Sequence, residues 1–231
     1  SGLLKNINKD EIELIAISNL ETYQQDQMTR DLKGHFDEWY DVFQIDDKKL
    51  VKLIRSMDLD VLIDLNGYTY KNRINVLRAR CAPIQISWLG YCNSLGVKNI
   101  DYLITDPNLI KKGEEDLYSE KIIFMPKIWN ALPKPNNLPE IKINKKDKNF
   151  FIFGSFNNFQ KISLDTIKIW SKILQENNSK LILKNSLHFN EKKCNEILLE
   201  KFAKENVDLN KIEILSRTKT AEQHIEKFNN I

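Results

Sequence analysis

Four short segments of the chain carry residue types that could hold a ligand: Asn66-Gly67-Tyr68-Thr69, Gly90-Tyr91-Cys92-Asn93-Ser94, 156–161 (FNNFQK) and 216–220 (SRTKT). Lys161 is the cation of the third. A lysine at a strand-to-helix turn, beside free backbone N–H groups, is one way a phosphate is held. It is also one of 29 lysines, and a solvated surface residue is the plain alternative. Asn66-Gly67 has two readings as well, because both residues tolerate positive φ and a turn alone explains them. Thr220 and Gln223 have the spacing of a capping box, itself a sufficient structural reason for both. His224 and Lys227, three apart, share a helix face; position alone makes His224 a surface histidine as readily as a ligand-facing one.

Other chemistries lack their residues. The sequence has no G-x-G-x-x-G and no Walker loop, and Gly is scarce at 7 of 231. Its three histidines, His35, His188 and His224, are too far apart for H-E-x-x-H. Cys81, Cys92 and Cys194 form no C-x-x-C, so neither a zinc site nor a disulfide framework is indicated, and a reducing cytoplasm is the expected setting. Asp58-x-Asp60 has the D-x-D spacing of metal-dependent glycosyltransferases. It opens a strand, the wrong end for a ligand, and is read as structural.

The elements that must position these segments alternate. Strands are predicted over 13–18, 39–43, 60–65, 84–89, 101–105, 121–125, 150–155, 180–184 and 213–215. Helices are predicted over 25–33, 46–57, 72–80, 164–175, 191–205 and 221–229. The helix over 46–57 has Leu50, Leu53, Ile54 and Met57 at helical spacing. Strands alternating with helices imply right-handed βαβ units and parallel, doubly wound sheets. The four segments then follow the carboxyl ends of strands, where open α/β sheets bind ligands. Pro126, Pro133, Pro135 and Pro139 mark a linker. The expected organisation is a first domain over 1–132, a linker over 133–148 and a second domain over 149–231.

Composition adds exclusions. No stretch approaches the roughly 18 apolar residues of a membrane helix, and with Lys5, Lys9 and Asp10 among the first ten residues no signal peptide is expected there. Ile (29), Lys (29) and Asn (25) are abundant and Ala (6) is rare, a bias of AT-rich codons without functional content. Only 6 of the 35 basic residues are Arg, a poor match to a nucleic-acid surface. Up to Leu132 there are 17 basic and 20 acidic residues, and beyond it 18 and 12. The basic second half suits an anionic small molecule.

Five blocks in order carry a resemblance: 60–69 (DVLIDLNGYT), 80–91 (RCAPIQISWLGY), 101–106 (DYLITD), 118–121 (YSEK) and 154–162 (GSFNNFQKI). Together they resemble the catalytic region of glycosyltransferase family 41, the O-GlcNAc transferases, including SPINDLY-type members. The resemblance implies a GT-B architecture of two Rossmann-like domains facing a cleft. It also implies an inverting, metal-independent transfer of N-acetylglucosamine from UDP-GlcNAc to Ser/Thr hydroxyls of acceptor proteins. No cofactor is implied beyond the donor, and neither nucleic acid nor membrane is an expected partner. By motif, Asn66 and Thr69 would face sugar and acceptor, and Leu89, Gly90 and Tyr91 would line the sugar pocket. Asn158 stands where animal enzymes have Gln. Lys161 matches the lysine on the donor diphosphate and would stabilise the leaving UDP. His224 matches a histidine packing on uracil, and Lys227 stands where animal enzymes have Arg.

Two motifs depart from the family. R-P-A-P-I-Q is Arg80-Cys81-Ala82-Pro83-Ile84-Gln85 here, and G-Y-P-G-T-S/T-G is Gly90-Tyr91-Cys92-Asn93-Ser94-Leu95-Gly96. The second departure lies beside the sugar pocket, so GDP-fucose or UDP-glucose as donor, or a catalytically silent nucleotide-binding module, are the alternatives. The chain has no initiator Met and stops after the third βα unit of its second half. It is therefore expected to be an internal fragment with both domains incomplete, inactive by itself.

Overall fold

Among the described residues every strand pair is parallel, as the alternation of apolar strands and amphipathic helices requires. The computed structural model describes residues 2–130, 138–140, 149–184 and 190–231. Of the expected linker 133–148 only 138–140 fall among these, and His188 lies outside them. The chain divides into two compact units, Ser1–Pro133 and Lys134–Ile231.

The first unit contains two parallel sheets. Strands β1 (Ile15–Ser18) and β2 (Glu38–Asp41) form one; β3 (Val61–Asp64), β4 (Ile84–Ser87), β5 (Tyr102–Thr105) and β6 (Lys121–Phe124) form the other, in that order. Helix α1 (Gln27–Lys33) joins β1 to β2 and starts at Asp26, whose side chain accepts the Thr29 N–H. Helix α2 (Asp47–Ser56) starts at Asp46 in the same way and buries Leu50 and Ile54, one helical turn apart. These two pack with Val42, Val76 and Cys81, joined by Ile17 and Tyr40 from the first sheet and Leu62 from the second, so both sheets share one core. Helix α3 (Ile74–Arg78) is shorter than the predicted 72–80. The backbone turns left-handed at Arg80, φ 51°, and the Arg55 guanidinium caps the carbonyls of Ala79 and Arg80.

No α-helix connects β4 to β5 or β5 to β6. Side chains do the holding instead. Arg80 grips Asp101 with two N–H···O bonds of 2.6 and 2.9 Å, and Asp101 also accepts the Gln85 N–H at 2.8 Å. Gln85 is fully buried. Its Nε2 donates to the carbonyls of Leu77 (2.8 Å) and Asn99 (2.6 Å), and its Oε1 accepts the Cys81 N–H at 2.8 Å. The R-x-A-P-I-Q block is therefore a clamp on the crossover. Gln85→Leu, which keeps the volume and strands three backbone groups, two of them in buried contacts, should destabilise the first unit by about 2–3 kcal/mol in urea melts.

The second sheet has two unlike faces. One carries Leu62, Gln85, Ser87, Leu103 and Thr105 and is covered; the last four of these are at most 1% exposed. The other carries Val61, Ile63, Ile84 and Ile123, exposed by 37–45%, with Ile86 and Ile104 half-buried among them.

The second unit is a three-stranded sheet, β7 (Phe151–Ser155), β8 (Ser179–Lys184) and β9 (Ile212–Leu215), with β8 central. Helix α4 (Leu164–Glu176) begins at Ser163, whose hydroxyl accepts the Thr166 N–H at 3.1 Å. It packs Ile167 and Leu174 against Leu181 and Leu183 of β8 and against Leu198 and Phe202 of helix α5 (Glu191–Lys204). Helix α6 (Ala221–Glu226) is followed by a 3-10 turn, Lys227–Asn230, so the predicted 221–229 helix is real but tightens in its last turn. Among the described residues no helix is long and apolar enough to cross a membrane.

Candidate functional site

In the first unit the loops after β3 and β4 interlock. Asp64, the last residue of β3, accepts the N–H groups of Asn66 (3.3 Å) and Gly67 (2.7 Å) and so folds the chain back at once. Thr69 closes the turn, its hydroxyl 2.8 Å from the Asn66 carbonyl and 2.5 Å from Asn66 Oδ1. The structure thus brings Asn66 and Thr69 together. The turn reading of Asn66-Gly67 is also right, since Gly67 has φ 56°.

Leu89, Gly90 and Tyr91 sit on the neighbouring loop. The Gly90 N–H reaches back to the Trp88 carbonyl at 2.8 Å, which forces Leu89 to φ 68°, a conformation costly for a side-chain-bearing residue. Leu89 remains 41% exposed. Gly90 lies on the backbone of Leu65 and Asn66, and Gly67 lies against the base of the Tyr91 side chain. The Tyr68 and Tyr91 rings meet edge to face at 5.7 Å. A recess lined by Leu20, Glu21, Tyr23, Asp41 and Phe43 opens at the carboxyl ends of β1 and β2. A second, lined by Pro83, Lys98, Asp101 and Lys121, lies at the amino ends of β4–β6, where open α/β sheets do not bind ligands.

Burial pushes the Asp64 carboxyl above the ordinary aspartate value, against the pull of the Gly67 and Asn66 N–H groups. The folded state therefore holds this proton more tightly than the unfolded chain. The contribution of Asp64 to stability is highest below pH 3.8 and declines as pH rises through its raised folded value. Asp64→Asn removes the titration and keeps an acceptor for one of the two N–H groups, which Asp64 accepts on separate oxygens; the lost bond is a constant offset that does not vary with pH. The urea midpoint of the variant minus that of the wild type should climb over that window and then level off.

In the second unit the carboxyl ends of β7, β8 and β9 gather aromatic and basic side chains. Asn158 accepts the Gln160 N–H at 3.0 Å and caps a 3-10 turn, Phe159–Lys161. Lys161 ends that turn, exposed, two residues before the Ser163 cap of α4, so it stands at the strand-to-helix connection the sequence indicated. The Thr220 hydroxyl accepts the Gln223 N–H at 3.3 Å, while the Gln223 side chain accepts from the Lys219 N–H (3.0 Å) instead of closing the box on Thr220. His224 is half-buried, its ring 5.7 Å from those of both Phe156 and Phe228, which are 4.7 Å from each other. Lys227 is half-buried at the start of the turn after α6.

Sequence reasoning missed three members of this cluster. Phe156 and Phe228 complete the ring group. Lys184, the last residue of β8, is only 4% exposed. Burial first, then the Arg217 charge, push its pKa down; Glu191 opposes and Lys227 adds to the fall. A lysine closing the apolar run Leu181–Leu183 was the available signal. Burial, and then the Lys184 charge, also push the His224 imidazole down, which favours its neutral form. Among the described residues no group of three His, Cys, Asp or Glu side chains could hold a metal ion.

Parallel α/β units of this kind place ligands at the polar loops beyond the carboxyl ends of their strands. Comparison with known proteins narrows this. Residues 5–132, more than half of the chain, match the sequence pattern of Glycosyl transferase family 41, and the chain belongs to that family. It is 36% identical over 148 residues to the probable UDP-N-acetylglucosamine–peptide N-acetylglucosaminyltransferase SPINDLY of Eustoma exaltatum subsp. russellianum, a match covering 63% of this chain and 16% of that protein. To the probable SEC transferase of Arabidopsis thaliana it is 25% identical over 177 residues, covering 73% and 18%. A solved mutant structure of Thermobaculum terrenum O-GlcNAc transferase superposes with a TM-score of 0.88 at 25% identity, covering 98% of this chain and 42% of that one. The chain thus spans about a sixth of the curated relatives it matches.

Proposed function

We propose that this chain serves a protein O-GlcNAc transferase, moving N-acetylglucosamine from UDP-GlcNAc to Ser/Thr hydroxyls by an inverting displacement that uses no metal, in the cytoplasm. The observation that carries the reading is the cluster at the carboxyl end of the second unit's sheet. Lys161 stands at a strand-to-helix turn, and the His224 ring is set among two phenylalanine rings. In this reading Lys161 meets the charge that develops on the departing diphosphate, which is where stabilisation speeds the step. His224 packs on the base, a role suited to an uncharged ring. Lys227 and Asn158 add polar contacts to the nucleotide. Asn66 and Thr69, already paired, contact sugar and acceptor, and Leu89, Gly90 and Tyr91 shape the sugar pocket.

A second donor is favoured by one observation: Cys92-Asn93 stands where the family has Pro-Gly, beside Tyr91. UDP-glucose and GDP-fucose are the donors to compare. The test is calorimetric binding and product release by the full-length protein with UDP-GlcNAc, UDP-glucose and GDP-fucose, each with an acceptor peptide. UDP release and a GlcNAc-modified peptide only with the first donor supports the reading; turnover with another donor reassigns the sugar, and no binding of any overturns it.

A further inference from the structure

Glu120 is 3% exposed, yet every partner the structure gives its carboxylate is neutral. Oε1 accepts the Leu95 N–H at 2.7 Å, and Oε2 accepts the hydroxyls of Ser94 (2.7 Å) and Ser119 (3.0 Å). The two hydroxyls are 3.0 Å apart, and Ser94 Oγ also accepts the Gly96 N–H at 3.1 Å. A buried carboxylate binds such donors strongly, because there is little water to compete. What it holds is the 92–96 loop, in a β4-to-β5 connection that lacks a helix. The Leu95 carbonyl accepts the Tyr68 hydroxyl at 2.6 Å, Tyr68 packs on Tyr91, and Tyr91 packs on Gly67. An unbroken chain of contacts therefore runs from Glu120 to both loops at the carboxyl ends of β3 and β4.

We infer that Glu120 is a positioning residue for the donor-sugar pocket, acting through Ser94 and Leu95 on the Leu89–Tyr91 segment. The inference rests on the assignment of that segment to the sugar pocket. Glu120 is too deeply buried to touch a substrate. Cys92 in place of Pro removes a fixed φ from the loop, and the carboxylate supplies a constraint there. Its effect falls on the sugar and leaves the nucleotide alone.

The experiment measures dissociation constants of UDP-GlcNAc and of UDP with the full-length protein, wild type and variants. Glu120→Ala and Ser94→Ala should each weaken UDP-GlcNAc about tenfold, the worth of a hydrogen bond to a buried charge, and leave UDP unchanged. Ser94→Thr, which keeps the hydroxyl, should restore UDP-GlcNAc binding. Ser94 is only half-buried, so its variants carry the test if Glu120→Ala does not fold. Equal weakening of both ligands by Ser94→Ala, or no change in either, overturns the inference. If Lys161→Ala weakens both ligands while Ser94→Ala changes neither, the functional reading stands and this inference alone fails. A wild-type protein that binds UDP but not UDP-GlcNAc overturns the pocket assignment and the inference with it.

Discussion

Lys161→Ala in the full-length protein should lower kcat/KM for UDP-GlcNAc by about 10²–10³, the cost of removing one set of charge-stabilising groups from a developing anion. The fold should not notice. Lys161 is exposed, and its backbone N–H, bonded to the Asn158 carbonyl at 2.9 Å, survives the change. The thermal midpoint should therefore stay with the wild type while turnover collapses. Lys161→Arg keeps the charge but spreads it over a planar fork, so partial activity is expected. Unchanged kcat/KM in the alanine variant would show that Lys161 is one more solvated lysine and that the diphosphate is held elsewhere.

Gly90→Ala should strongly destabilise the first unit. A Cβ there would stand 2.1 Å from the Leu65 carbonyl oxygen and 2.8 Å from Asn66 Cα. Both are backbone atoms in a turn already pinned by Asp64, so neither can move aside cheaply. The loops must separate, which costs about 3 kcal/mol by the usual scale of overpacking and moves Asn66, Thr69 and Leu89 out of register. Gly96→Ala is the comparison. Gly96 has φ 60° with nothing within 4 Å of an added Cβ, so only left-handed strain of about 1–2 kcal/mol is paid. Equal melting temperatures for the two variants would show that the interlock of the two loops does not hold the unit together.

The legible parts of the fold were those decided locally. Thr220 was readable as a cap because a short oxygen-bearing side chain before a helical run satisfies an orphan N–H, and it does so; Asp46 and Ser163 cap their helices in the same way. Lys161 could be placed because β7 and α4 are both strongly patterned. The helix over 72–80 was read too long because its end is set by Arg80, held by Asp101 twenty-one residues away. Glu120, Phe156 and Lys184 were missed for a related reason. Their significance lies in contacts or charges from distant segments, and nothing in YSEK or LILK taken alone says that the acid is buried on a loop 25 residues earlier or that the charge of the lysine acts on a histidine forty residues on. The family resemblance located the loops, and the contacts within them needed coordinates.

The row of Val61, Ile63, Ile84 and Ile123 also has a calorimetric meaning. Heat capacity on unfolding rises with the apolar area that goes from dry to wet, about 0.45 cal/K/mol per Å². Side chains already wet in the folded state add little to that change. The first unit should therefore unfold with a heat-capacity increment below the roughly 12–15 cal/mol/K per residue of ordinary domains, and with a correspondingly shallow denaturant slope. Its stability curve would be flatter than its length suggests, losing less on cooling than a domain whose sheet is covered on both sides.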